Sequence, residues 1–291
     1  MEIINLENFN STIKLLLLMR KKSDLKNLLS PPPIQIYSSQ LNIPLIKFEN
    51  YLKLFDFPSN NYLPISYPFV LTMPMQIQLF DHPSILINPL GFLHVSNNIS
   101  QYKPIPKNEK LEAYCYIDST RLAKKGLEIT VKIIIKANSE LIWECKSTYL
   151  KFSKKYRDEE GNGKKQFFFE SYEKYDEEYS WHVSKKDAFS YARVSGDFNL
   201  IHLSKIFARI TGLPKPIIHG MWSIGKCLHY LNMNTKDTLY FYHTFKGPIL
   251  LNTSCKLCIK NISNGKRFDL FAENNPRPCI QGILSEYPIE G

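Results

Sequence analysis

No apolar run in the chain approaches the roughly 18 residues that a bilayer span needs. The longest near the N-terminus runs only from Leu15 to Met19. That run is also too short for the core of a signal peptide, and no small-residue cleavage site follows it, so a cytoplasmic protein is expected. Cysteine is sparse, six in 291 residues, which excludes a disulfide scaffold; a cytoplasmic chain keeps such thiols reduced. The one C-x-x-C, Cys255 and Cys258, has no second pair at zinc spacing. It sits in a strand-like stretch, where positions three apart point to opposite faces, so no metal site is expected. Glycine-rich phosphate loops, helix-turn-helix patterns and aromatic RNA-binding signatures are also absent, and no nucleic-acid partner is expected.

What is present is globular: 44% hydrophobic and 22% charged residues, enough for about two domains and a sizeable core. The formal net charge is +10. A basic surface favours polyanions such as a phosphorylated cofactor or an acidic carrier protein, although lysines spread along the chain also serve solubility.

Residues 1–55 read as a helical and connecting segment, with Ile13 and Leu16 to Leu18 ahead of a basic patch and Pro31-Pro32-Pro33 ending any helix. A first unit covers residues 56–152: the apolar segment Tyr67 to Phe80, then strands near Phe92–Asn98, Leu111–Asp118, Leu127–Lys136 and Leu141–Phe152. Residues 153–166, charged and carrying two glycines, read as a linker. The second unit, 167–291, has a helix from Lys185 to Val194 capped by Ser184, a loop through His202, a short helix, and an apolar helix from Gly220 to Leu231. Strands near 239–245, 253–260, 267–272 and 279–286 follow. Each half thus predicts an α+β unit, an antiparallel sheet against a helix.

The informative segment is Tyr191 to His202, which places Ser195, Asp197, Asn199 and His202 within eight residues, with Gly196 allowing a tight path. If the loop curls, Asp197 and His202 can hold one water and move protons near neutral pH. Asn199 both donates and accepts, which suits it to orienting a polar group. A polar turn capping the next helix would give the same string. In Pro214 to Trp222, a His219-Gly220 pair opens an apolar helix. The Gly220 amide, at the positive end of that helix, suits a developing oxyanion; packing alone would also explain the glycine. His219, beside the helix start, reads as a hydrogen-bonding structural residue.

Taken together, Ser195-Gly196-Asp197-Phe198-Asn199, His202, Ala208 and Ile218-His219-Gly220-Met221 resemble the hydratase 2 motif of the MaoC-like (R)-specific enoyl thioester hydratases and dehydratases. Leu200 stands where that family usually has proline. The resemblance covers about residues 167–287 and implies a double hot-dog fold, with two antiparallel sheets each wrapping a central helix. It implies reversible dehydration of (3R)-hydroxyacyl thioesters carried on coenzyme A or acyl carrier protein, with no metal or redox cofactor. It assigns catalysis to Asp197, His202 and Gly220, and substrate binding to Asn199, Ser195 and His219. The first half lacks the Asp-x-Asn-x-x-His string; Asp81-His82 and His94 are its only comparable groups. It resembles the catalytically empty half of double hot dogs, which widens the acyl tunnel. Such a chain mimics a dimer of single hot dogs, so monomer and homodimer of the whole chain both fit.

Overall fold

The computed structural model describes residues 1–7, 23–89, 92–156, 158, 172, 174–232, 238–273 and 275–289. The apolar and basic stretch at residues 13–22 and most of the 153–166 linker lie outside the described residues.

In chain order the first half holds β1 (Glu2–Asn5), β2 (Ile34–Ser38), α1 (Leu45–Phe55), β3 (Tyr62–Leu63), α2 (Tyr67–Leu71), α3 (Met73–Asp81), β4 (Phe92–Gln101), β5 (Ile105–Pro106), β6 (Leu111–Ala123), β7 (Gly126–Ala137) and β8 (Glu140–Phe152). The second half holds β9 (Glu177–Val183), α4 (Lys185–Ser195), α5 (Leu200–Leu203), α6 (Lys205–Ile210), α7 (Gly220–Leu231), β10 (Leu239–Phe245), β11 (Thr253–Ile262), β12 (Gly265–Ala272) and β13 (Ile280–Ser285). The apolar segment Tyr67 to Phe80 forms two helices that part at Thr72, whose hydroxyl bonds back to the Pro68 carbonyl at 2.8 Å, with Pro74 in the first turn of α3.

β3 pairs with β5 in a separate two-stranded sheet. The other eleven strands form one sheet in the order β1-β2-β6-β7-β8-β4-β10-β13-β12-β11-β9, with β1 parallel to β2 at its edge. About its centre, β2-β6-β7-β8-β4 is answered by β9-β11-β12-β13-β10, and α1 and α2–α3 are answered by α4 and α7. Each set is an α+β hot dog, and the two antiparallel sheets join edge to edge where β4 pairs with β10, Asn97 opposite His243. Joining them there removes two exposed strand edges. β7 shows why these residues form strands: Leu127, Ile129, Val131, Ile133 and Ile135 are all fully buried, alternating with residues such as Lys132 and Lys136.

The repeat corrects the reading of residues 1–55 as merely helical and connecting. β2 is the counterpart of β9 and completes the first sheet against β6; its Ile34 and Ile36 are buried. Five residues flanked by prolines carry too short an alternation to stand out in the sequence. β9 was also not anticipated, although Tyr179, Trp181 and Val183 alternate along it.

One hydrophobic core runs through both halves. α1 packs on α4 and α7; Phe55 meets Tyr191 with ring centroids 6.3 Å apart. A Cβ on Gly225 of α7 would lie 2.5 Å from the Phe55 ring, so glycine there lets the two halves close together. No helix among the described residues is long and apolar enough to cross a membrane.

Candidate active site

Helix α4 delivers the Asp-x-Asn-x-x-His loop. Ser184 caps it in a capping box with Asp187. Gly196 ends it at φ 79°, its N–H returning to the Ala192 carbonyl at 2.9 Å; the left-handed turn favours glycine here. The Ser195 hydroxyl donates to the Tyr191 carbonyl at 2.7 Å and accepts from the Asp197 N–H at 3.1 Å. Asp197 Oδ1 accepts the Asn199 N–H at 3.1 Å, and Asn199 Oδ1 caps α5 through the Ile201 N–H at 3.4 Å. The loop therefore curls as a series of side-chain-to-backbone bonds, and both readings of the string hold: it is a polar turn, and it brings the acid to the histidine.

Asp197, His202 and His219 each present a polar side-chain atom, all within 4.8 Å of one another. The two imidazoles stack with centroids 3.7 Å apart and planes at 26°. His202 Nδ1 lies 2.9 Å from the Ile217 carbonyl and His219 Nε2 lies 2.9 Å from the Asp197 carbonyl. A carbonyl only accepts, so these nitrogens carry the protons, and His202 Nε2 and His219 Nδ1 keep lone pairs. Burial lowers the pKa of His202, against an upward pull from Asp197. It lowers that of His219 to about 3, helped by the neighbouring His202. Both rings are thus neutral acceptors at pH 7. Three such donors are also the number a catalytic zinc site uses.

These groups open on a cavity of about 1440 Å³ lined from both halves. Asp197, Asn199, His202, His219 and Gly220 all stand on its wall. Ser195 does not. It is 6% exposed, with its hydroxyl engaged by the Tyr191 carbonyl and the Asp197 N–H of the loop. Gly220 begins α7, whose first internal bond is Trp222 N–H to the His219 carbonyl at 3.1 Å. The amides of Gly220 and Met221 precede that bond and carry the helix's positive end. A Cβ on Gly220 would stand 2.6 Å from the Phe245 ring, so close packing requires the glycine as well.

The first half also contributes to the wall, among other groups His94, which the sequence named without the motif's spacing. A β-bulge between His94 and Ser96 on β4 changes the side-chain parity. Gln101, Ile99 and Asn97 face inward and are fully buried; beyond the bulge Phe92, Leu93, His94 and Val95 all line the cavity. His94 is held by Asn97 Oδ1 at 2.8 Å and stacks on Tyr149 at 4.8 Å. Burial lowers its pKa to about 4. A bulge has no signature in composition or periodicity. Ser223, 1% exposed on the cavity side of α7, has an unpartnered hydroxyl; its spacing of three from Gly220 put it within reach of a helical-face argument. Cations line the cavity too: Lys124, Lys125, Lys151, Lys246 and Arg277.

Residues 169–267 match the model of the MaoC like domain. The chain is 25% identical to 3-hydroxyacyl-thioester dehydratase X of Mycobacterium tuberculosis over 217 residues, which span 74% of this chain and 75% of that one. Its fold is similar to the crystal structure of HtdX from the same organism, with a TM-score of 0.74 and 21% identity over 86% of this chain and 98% of that one. It is also similar to a MaoC-like dehydratase from Phytophthora capsici, with a TM-score of 0.70 and 17% identity over 90% and 97% of the two chains. Residues 169–267 are thus similar to the MaoC like domain, and the chain as a whole is similar in sequence to a 3-hydroxyacyl-thioester dehydratase.

Proposed function

We propose that the cavity dehydrates (3R)-hydroxyacyl thioesters reversibly to trans-2-enoyl thioesters. The observation that carries this reading is the convergence of Asp197 and neutral His202 on one wall of a large, mainly apolar cavity, beside the start of α7. In the hydration direction, a water held between the pair donates one O–H to the Asp197 carboxylate and the other to His202 Nε2. Its oxygen adds to C3, the released proton passes to one member of the pair, and that proton is delivered to C2. In dehydration the pair takes the C2 proton and returns it to the departing hydroxyl, so water leaves and the thioester stays intact.

Negative charge grows on the thioester oxygen while C2 is a carbanion equivalent. The Gly220 N–H, with the dipole of α7 behind it, would stabilise it; such a donor is worth on the order of 10²–10³ in rate. Asn199 positions the loop and the substrate, and His219 holds the loop through the Asp197 carbonyl. The chemistry needs no metal or redox cofactor. The lysines and Arg277 around the cavity suit a phosphorylated or acidic carrier, coenzyme A or acyl carrier protein. The test is the loss of conjugated-thioester absorbance when enoyl thioesters are hydrated. Wild type should remove it, whereas Asp197→Asn and His202→Ala should each lose roughly 10²–10⁴ of the rate. Full activity in both variants would overturn the assignment, and thiol release from saturated thioesters would favour hydrolysis instead.

A further inference from the structure

Helix α3 turns one stripe towards the cavity: Met73, Gln76, Ile77 and Phe80, the spacing of a single helical face. Three of these are apolar. Gln76 is the exception, 3% exposed. Its Oε1 accepts the Tyr149 hydroxyl at 2.8 Å, while its Nε2 has no hydrogen-bond partner. Gln78, two residues on, shows how the same helix treats an amide that serves the fold. It points to the N-terminal segment and is fully paired, Nε2 to the Asn5 carbonyl at 2.9 Å and Oε1 to the Glu7 N–H at 2.9 Å. Burying an amide N–H without a partner carries a desolvation penalty, and the Tyr149 hydroxyl accounts only for the Oε1 half of this amide. Tyr149 in turn stacks on His94, which also lines the cavity, so the polar wall continues from Gln76 towards the reacting groups.

Building on the dehydratase reading, we propose that Gln76 is a specificity-determining residue of the acyl side of the cavity. It selects acyl chains that carry an oxygen acceptor, a ketone or hydroxyl, over plain alkyl chains. Such an oxygen supplies the partner that the protein withholds from Nε2; a methylene in the same place leaves the donor buried and unpaired. Sites built to hydrogen-bond a substrate group reject the analogue lacking it far more strongly than apolar pockets reject an added group.

The test compares binding of saturated pantetheine thioesters, the arm common to both carriers: octanoyl against its 5-, 6- and 7-oxo analogues, by calorimetry. For wild type the best oxo isomer should bind about tenfold more tightly than octanoyl, the equivalent of one hydrogen bond to a neutral group. In Gln76→Met, and in Gln76→Leu should the first fail to show a cooperative unfolding transition, that ratio should fall to within about twofold. Equal binding of plain and oxo chains by wild type overturns the proposal, as does an unchanged ratio in both variants. Failure of the underlying reading is separately visible, as no turnover of any enoyl thioester, plain or oxo.

Discussion

Adding one methyl group at Gly220 tests whether the start of α7 is positioned as closely as the chemistry requires. The new Cβ would stand 2.6 Å from Cε1 of Phe245, with two further ring atoms at 3.0 and 3.1 Å. Ordinary carbon contacts lie near 3.5 Å, so ring and helix start must separate by about 0.9 Å. Phe245 has little room to yield: His94 lies against it at 4.8 Å and His243 at 5.3 Å between centroids. Part of the displacement therefore falls on the Gly220 amide. Overpacking of this kind costs about 1–3 kcal/mol of stability, and a shift near 1 Å at a reacting centre costs on the order of 10²-fold in rate. Gly220→Ala should therefore lower kcat for enoyl-thioester hydration by roughly that factor while remaining folded in thermal unfolding. Phe245→Leu, which removes the colliding ring edge, should restore much of the loss in the double variant. A Gly220→Ala enzyme with kcat within about twofold of wild type would refute the reasoning, and so would a double variant no better than the single.

The same logic at the junction between halves predicts that Gly225→Ala, with its Cβ 2.5 Å from Phe55, loses about 1–3 kcal/mol of stability, read by denaturant unfolding. Phe55→Leu should recover part of it. Ser184→Ala removes the cap of α4 and should cost about 1 kcal/mol, measured in the same way. The pKa values of His94, His202, His219 and His243 are all lowered by burial. The unfolded chain then binds more protons below its histidine pKa near 6.5, so stability should hold above that pH and fall as pH drops towards the folded values. For His219, whose folded value is about 3, the loss at pH 5 is on the order of 2 kcal/mol. Its removal in His219→Gln should flatten the measured slope. Because His202 stays neutral to lower pH than a free histidine, an acid limb of kcat/KM assigned to it should lie below 6.5, and a limb above 6.5 would contradict the assignment.

The sequence by itself determined the second half to a high degree. Asp197, Asn199 and His202 follow one another on a loop whose curl is made by local bonds between a side chain and a backbone group two to four residues away, and such bonds are encoded by residue type and spacing. The helix from Gly220 and the long alternating strands 126–137 and 140–152 are equally local, because periodicity records which face is buried. Tertiary structure alone decided the rest. The pairing of β4 with β10 joins residues about 146 apart. The strand at 34–38 becomes part of a sheet only through its partners β1 and β6. The bulge that turns His94 inward leaves no trace in periodicity. Ser195, identical in the string to a binding residue, spends its hydroxyl on the backbone of Tyr191 and leaves the cavity wall to others. The first half, silent in motif, supplies His94, Tyr149 and Gln76 to that wall, because what a side chain faces across a cavity depends on contacts between segments far apart in the chain.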